Sequence, residues 1–188
     1  FGSFTPRPPL VTSSAPFDAT RSGRAAWATA TLGSLDWAVA TMDGCAWQNP
    51  EAIAELTAIA DRWPRAAGAG TARSAIDLVR AGAQTPLESL SRIRLMRRGI
   101  SEPRLQVPLY DDGGLVGYVD MLFERHGVVG EADGRIKYLK GDDLLEEKRR
   151  EDRLRALGYA VVRWGWPEAM GDMRTVASQI VAAGRWSR

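Results

Sequence analysis

Residues 128–138 read V-V-G-E-A-D-G-R-I-K-Y, an apolar run that ends in two carboxylates, a glycine and, further on, a lysine. Side chains alternate across a strand, so Glu131 and Asp133 point the same way and repel each other unless a cation lies close. That cation is an arginine, a lysine or a metal ion. A third acid, Asp120, follows G-Y-V near the end of a second apolar alternation, on the side of Val116 and Tyr118. If the two strands are neighbours in one sheet, Asp120, Glu131 and Asp133 converge on one point. Three acids there are tolerable only if protonated or bound to a cation. Hard divalent ions such as Mg2+ or Mn2+ take carboxylate oxygens in this way. The competing arrangement pairs each acid with one of the chain's many arginines, an interaction of small worth at a surface.

The elements that must position these acids can be read from periodicity and capping signals. Residues 1–16 are rich in Pro, Ser and Thr without a sustained period and read as an extended arm or linker. Residues 17–84 form an alanine-rich helical region. Its clearest helix starts at Asn49-Pro50 and places Ile53, Leu56 and Trp63 along one face; a second spans about Ala72–Ala81. Thr85-Pro86-Leu87-Glu88 is a capping box that opens a helix to about Arg98. The period then changes. Two strands, Arg104–Asp111 and Leu115–Phe123, flank an Asp-Asp-Gly-Gly turn, and a third runs from Gly127 to Ala132. A helix from Asp142 to Leu157, a strand from Tyr159 to Trp164 and one last helix from Pro167 to Ala183 complete the order.

Composition sets the outer bounds. Of the 188 residues, 45% are hydrophobic and 26% charged, the balance of an ordinary globular protein with a real core. No apolar run reaches the roughly 20 residues of a membrane span, and no membrane partner is expected. The single cysteine, Cys45, rules out an internal disulfide and suits a reducing, cytoplasmic compartment. The net charge is only +2, but Lys and Arg number seven in residues 1–84 and eighteen in residues 85–188, against seven and sixteen acids. A mixed, charge-dense second part suits carboxylates that hold a cation and arginines that hold phosphates. The first residue is Phe1, which points to a natural N-terminus further upstream. His126, the only histidine, reads as an exposed turn residue. The tryptophans Trp27, Trp37, Trp47, Trp63, Trp164 and Trp166 read mainly as core packing.

Taken together, V-D-M-L-F, V-V-G-E-A-D-G-R-I-K-Y and K-R-R-E-D-R-L-R-A-L-G-Y-A-V-V-R-W resemble the endonuclease-like domains related to very-short-patch-repair endonucleases, within the PD-(D/E)xK or restriction-endonuclease-like group. The resemblance covers about Thr85–Trp166. It implies an α/β fold with a mixed sheet flanked by helices over residues 85–188, preceded here by the helical region. Similar domains lie C-terminal in actinobacterial proteins related to AbiEi-type antitoxins, behind a winged helix and a helical linker that residues 12–84 resemble.

By that resemblance Asp120 and Glu131 are metal ligands for Mg2+ or Mn2+, and Glu88 matches an accessory acid on the first helix, although its place in the capping box already gives it a structural task. The usual motif has a lysine two residues after the acid, where this chain has Asp133, and Lys137 takes a position where repair-type relatives carry histidine. Arg150, four residues before Leu154, matches a family arginine, and with Arg149 and Arg153 it is expected to contact substrate phosphate. Arg92, Arg94, Arg97 and Arg98 form a second basic group beside the same groove. The implied activity is Mg2+-dependent phosphodiester hydrolysis in DNA, in phage defence or repair. The alternative is a catalytically inactive, DNA-binding antitoxin-like or regulatory protein with a toxin partner. Oligomeric state is not legible in the sequence.

Overall fold

The change of hydrophobic period near Gly99 is where the architecture changes. A computed structural model describes residues 19–133 and 141–184. Four helices come first, α1 (Ala19–Leu32), α2 (Leu35–Gln48), α3 (Ala52–Arg62) and α4 (Ala69–Leu78). Their small side chains bring the helices close around Trp27, Val39, Met42 and Leu56, with Cys45 packed against the cluster. The next helix, α5 (Pro86–Arg97), contributes Ile93 to this core while Leu87 and Leu95 enter another. Helix α5 is thus shared between two cores.

The second part is a four-stranded sheet in the order β1 (Arg104–Asp111), β2 (Gly114–Phe123), β3 (Val128–Ala132), β4 (Ala160–Trp164). The first three strands are antiparallel neighbours, and β4 runs parallel to β3 after the crossover helix α6 (Gly141–Ala156). Helices α7 (Trp166–Met170) and α8 (Arg174–Ala183) follow. The fold class is the expected one: mixed α/β, a helix-flanked mixed sheet behind a helical region. One face of the sheet buries Met121, Phe123, Val128 and Trp164 against α5, α7 and α8. The other buries Val119, Leu122 and Val129 against Leu154 of α6. A fully buried leucine of this kind contributes about 1.5–3 kcal/mol.

Three expectations need correction. The last helix is two, because the chain breaks at Gly171–Met173, where Met173 has a positive φ of 55°. Trp27 and Trp164 are core residues, but Trp37, Trp47, Trp63 and Trp166 are all more than a third exposed, since each sits on the outward face or at the end of its helix. The alternation in β2 is also interrupted. Leu109 pairs with Gly117 but Tyr110 pairs with Leu115, so Val116 is an extra residue and its side is not that of Asp120: Val116 is buried and Tyr118 exposed.

A buried ionic knot joins the two parts. Arg92 on α5 and Asp43 on α2, both without solvent exposure, meet at 3.0 Å. Arg92 also reaches Glu102 (3.1 Å) and the Leu78 carbonyl (2.7 Å). Among the described residues no helix is long and apolar enough to cross a membrane.

Candidate functional site

The pairing of β2 with β3 runs from Phe123–Val128 only as far as Met121–Gly130. Beyond that pair the strands part, and Asp120 bridges them: its Oδ2 accepts the Ala132 N–H at 2.9 Å. A side chain here replaces a ladder bond, which fixes Asp120 beside the residue that follows Glu131. Gly130 helps to set that position, because a Cβ there would lie 2.6 Å from Trp164 and 2.8 Å from Phe123. Trp164 in turn donates its indole N–H to Ser91 on α5 at 2.7 Å, which ties the sheet to that helix.

Glu88 arrives from α5. The Thr85 hydroxyl accepts the Glu88 N–H (3.2 Å) and donates to its carboxylate (2.8 Å), while the Gln84 N–H donates to the other oxygen (2.9 Å). The capping task expected of Glu88 is therefore present, with Gln84 rather than Thr85 supplying the backbone donor. The same carboxylate also faces the sheet. Gln106 of β1 directs its amide toward Glu88 (3.3 Å) and Asp120 (3.4 Å) together. Gln106 has a φ of 50° in the middle of a strand, a conformation that costs a non-glycine residue about 1–3 kcal/mol and that clusters at functional sites. Nothing in the sequence announced it, because a glutamine between Leu105 and Val107 reads as a solvent-side strand residue.

Glu131 meets Arg150 of α6, whose Nη2 donates to Oε1 at 2.8 Å and to the Tyr118 carbonyl at 3.0 Å; its Nη1 reaches Glu147 at 3.4 Å. Of the three cations that the sequence left open, the described residues supply an arginine. It does not neutralise the site. Burial pushes the Glu131 carboxyl up to about 7, against the pull of Arg150 and with Asp120 adding to the rise. Burial also lifts Glu88 to about 7, with Asp120 again contributing, and raises Asp120 itself. Asp120 thus acts on two buried carboxyls, that of Glu131 on β3, which Arg150 and Arg163 oppose, and that of Glu88 on α5. Once ionised, Asp120 and Glu131 are an adjoining pair of hard oxygen donors of the kind that a divalent ion takes. Among the described residues no cluster of three or more His, Cys, Asp or Glu is arranged to hold a metal.

The other expected site residues divide. Asp133 is exposed just past the end of β3, where its backbone N–H bonds to the Trp164 carbonyl (2.9 Å) and its charge is felt by Asp120. Lys137 lies outside the described residues. Arg149 is exposed on α6. Arg153 makes two 2.6 Å bonds to Asp111 and so clamps α6 to the β1–β2 hairpin, away from the acids. The basic group on α5 is also engaged internally: Arg92 by Asp43, Arg94 and Arg97 by Asp36, and Arg98 by Asp172. A fork-shaped guanidinium finds carboxylates readily, and Asp36 and Asp43 of α2 and Asp172 provide them. His126 is half-buried in the turn before β3, at the opposite end of that strand from Glu131.

Two uncharacterized proteins of Mycobacterium tuberculosis, from two strains, are each 25% identical to this chain over 146 residues, which is 77% of the chain and 52% of the relative. The chain thus spans about half the length of the curated relatives it matches. No family model matches the chain. No solved structure matches it either.

Proposed function

We propose that the chain is a metal-dependent deoxyribonuclease of the PD-(D/E)xK kind, acting on phosphodiesters of DNA in a cytoplasmic setting. The observation that carries this reading is the placement of Asp120 beside Glu131 where β2 and β3 part, with its Oδ2 accepting the Ala132 N–H and burial raising both carboxyls, and with Glu88 beyond Gln106 raised as well. Strongly perturbed acids grouped at one site are a mark of chemistry more often than of packing. Asp120 and Glu131 would hold Mg2+ or Mn2+, which when bound supplies a lowered pKa for water and offsets charge at phosphorus. Asp120 is oriented for this by the Ala132 N–H and Gln106, whose amide also donates to Glu88. Arg150 and the exposed Arg149 are the phosphate contacts of this reading, with Lys137 assigned by sequence position and Asp133 assisting. Arg153 drops out of that set because Asp111 engages it.

The test is thermal melting with and without Mn2+ or Mg2+, paired with plasmid nicking. Ion at about 100 times its dissociation constant should stabilise the wild type by about 2.7 kcal/mol. Asp120→Ala should abolish both the shift and the nicking. Equal shifts in the two proteins would remove Asp120 from the site.

A second reading has its own observation. The Arg150 guanidinium pairs with Glu131, the carboxylate that a metal would need, and an acid, Asp133, stands where the motif lysine is usual. In that case the domain is an inactive DNA-binding or regulatory module of the AbiEi antitoxin-like kind, with a toxin as partner. An absence of nicking with any divalent ion, alongside retained DNA binding, would favour it.

A further inference from the structure

Arg150 sits in a built cradle rather than on an open surface. Its donors reach Glu131, Glu147 and the Tyr118 carbonyl, and its Nε lies where a Cβ on Gly117 would come within 3.0 Å. Gly117 has a φ of 149°, so the strand both lacks a side chain there and takes a conformation that other residues rarely adopt. The helix that carries Arg150 is anchored on the C-terminal side of that residue. Leu154, one turn on, is fully buried, and Arg153 is held by Asp111. The Arg150 side chain is nonetheless 22% exposed, and it already touches Glu147 on the same helix, a carboxylate that it shares with Arg163. Leaving Glu131 therefore asks only for side-chain rotation.

Resting on the hydrolase reading above, we propose that Arg150 is an exchangeable counter-ion: it occupies Glu131 until a divalent cation takes that carboxylate, and the released guanidinium then becomes a contact for a DNA phosphate. The guanidinium and the cation compete for one carboxylate, so one must yield to the other. A freed guanidinium at the rim of the acids carries forked donors that match a phosphodiester. Metal binding thereby comes before DNA binding and strengthens it. The order also keeps a bare cluster of acids from repelling the phosphate backbone, because DNA is engaged only after the acids hold an ion.

Isothermal titration of Mn2+ into the full chain and its R150Q variant tests the first half. Fluorescence anisotropy of a labelled duplex, with and without Ca2+ as a second oxygen-preferring ion, tests the other half. Removing the competitor should tighten Mn2+ binding by about threefold to tenfold. The wild type should bind duplex about tenfold more tightly with the ion present, and R150Q should lose that gain. If R150Q does not fold, R150K takes its place, with the same signs at reduced size, since an ammonium cannot span Glu131 and the Tyr118 carbonyl as a fork does. Weaker Mn2+ binding by the variant would overturn the exchange, as would a metal-dependent gain in DNA affinity that survives the substitution. A wild type that takes up no Mn2+ overturns the hydrolase reading and the exchange together. A wild type that binds Mn2+ and nicks DNA, with a variant that binds Mn2+ less well, overturns the exchange alone.

Discussion

Glu88 and Glu131 hold their protons to about pH 7, whereas in an unfolded chain each would lose them near 4.5. Between those two values the folded state binds more protons than the unfolded state, so stability falls as pH rises, by at most about 1.4 kcal/mol per unit for each group. Asp43 and Asp120 are raised too and act in the same direction. Asp111, Glu168 and Asp172 are lowered, and their contribution is lost only as pH falls below the ordinary carboxylate range, outside this window. Urea midpoints at about pH 5 and about pH 7 should therefore decrease with pH in the wild type, and E88Q should flatten the trend. A midpoint that climbs across the window would contradict the burial assigned to these acids. Asp120 and Glu131 were legible in the sequence because an acid inside an apolar strand is an anomaly that needs a partner. Gln106 was not, since its importance lies in a backbone angle and a two-way amide contact that no residue type encodes. The arginines were legible as charge but not as partners: whether Arg153 meets Asp111 or a phosphate depends on how α6 lies over the hairpin.

Elements were easiest to read where a local signal and a tertiary contact agree. The capping box at Thr85, the β1–β2 turn and the start of β3 all follow from short-range chemistry, and each lies close to its expected place. The break between α7 and α8 was not readable, because it depends on Met173 adopting a left-handed backbone that methionine does not prefer. The bulge in β2 was hidden for a similar reason: V-G-Y reads as uninterrupted alternation, and only the pairing reveals Val116 as the extra residue. This bulge can be tested through Gly117. Alanine there would suffer the 149° φ and press on Arg150, so G117A should cost about 1–3 kcal/mol in equilibrium unfolding. A cost near zero would mean that Arg150 moves aside at no expense and that its cradle is loose.

At the scale of the whole molecule, the knot of Arg92, Asp43 and Glu102 decides whether the helical region and the sheet behave as one body. Asp43→Ala would leave the fully buried guanidinium of Arg92 without its closest carboxylate, a loss of about 3–5 kcal/mol. Replacing Arg92 with Met as well should recover much of that, because the uncompensated charge is then gone. Urea unfolding followed by tryptophan fluorescence and by circular dichroism should give one shared transition in the wild type, since α5 belongs to both cores. Two separated transitions would show that the helices fold apart from the sheet. Among the described residues β1 and β4 are the outer strands of the open sheet, and an outer strand's backbone is the usual route by which β proteins stick to copies of themselves. On β1 that route is obstructed. Pro108 has no amide hydrogen to offer, and Gln106 turns the chain out of extended geometry two residues earlier, so the residue that steadies the acids also keeps a foreign strand from zipping onto the sheet.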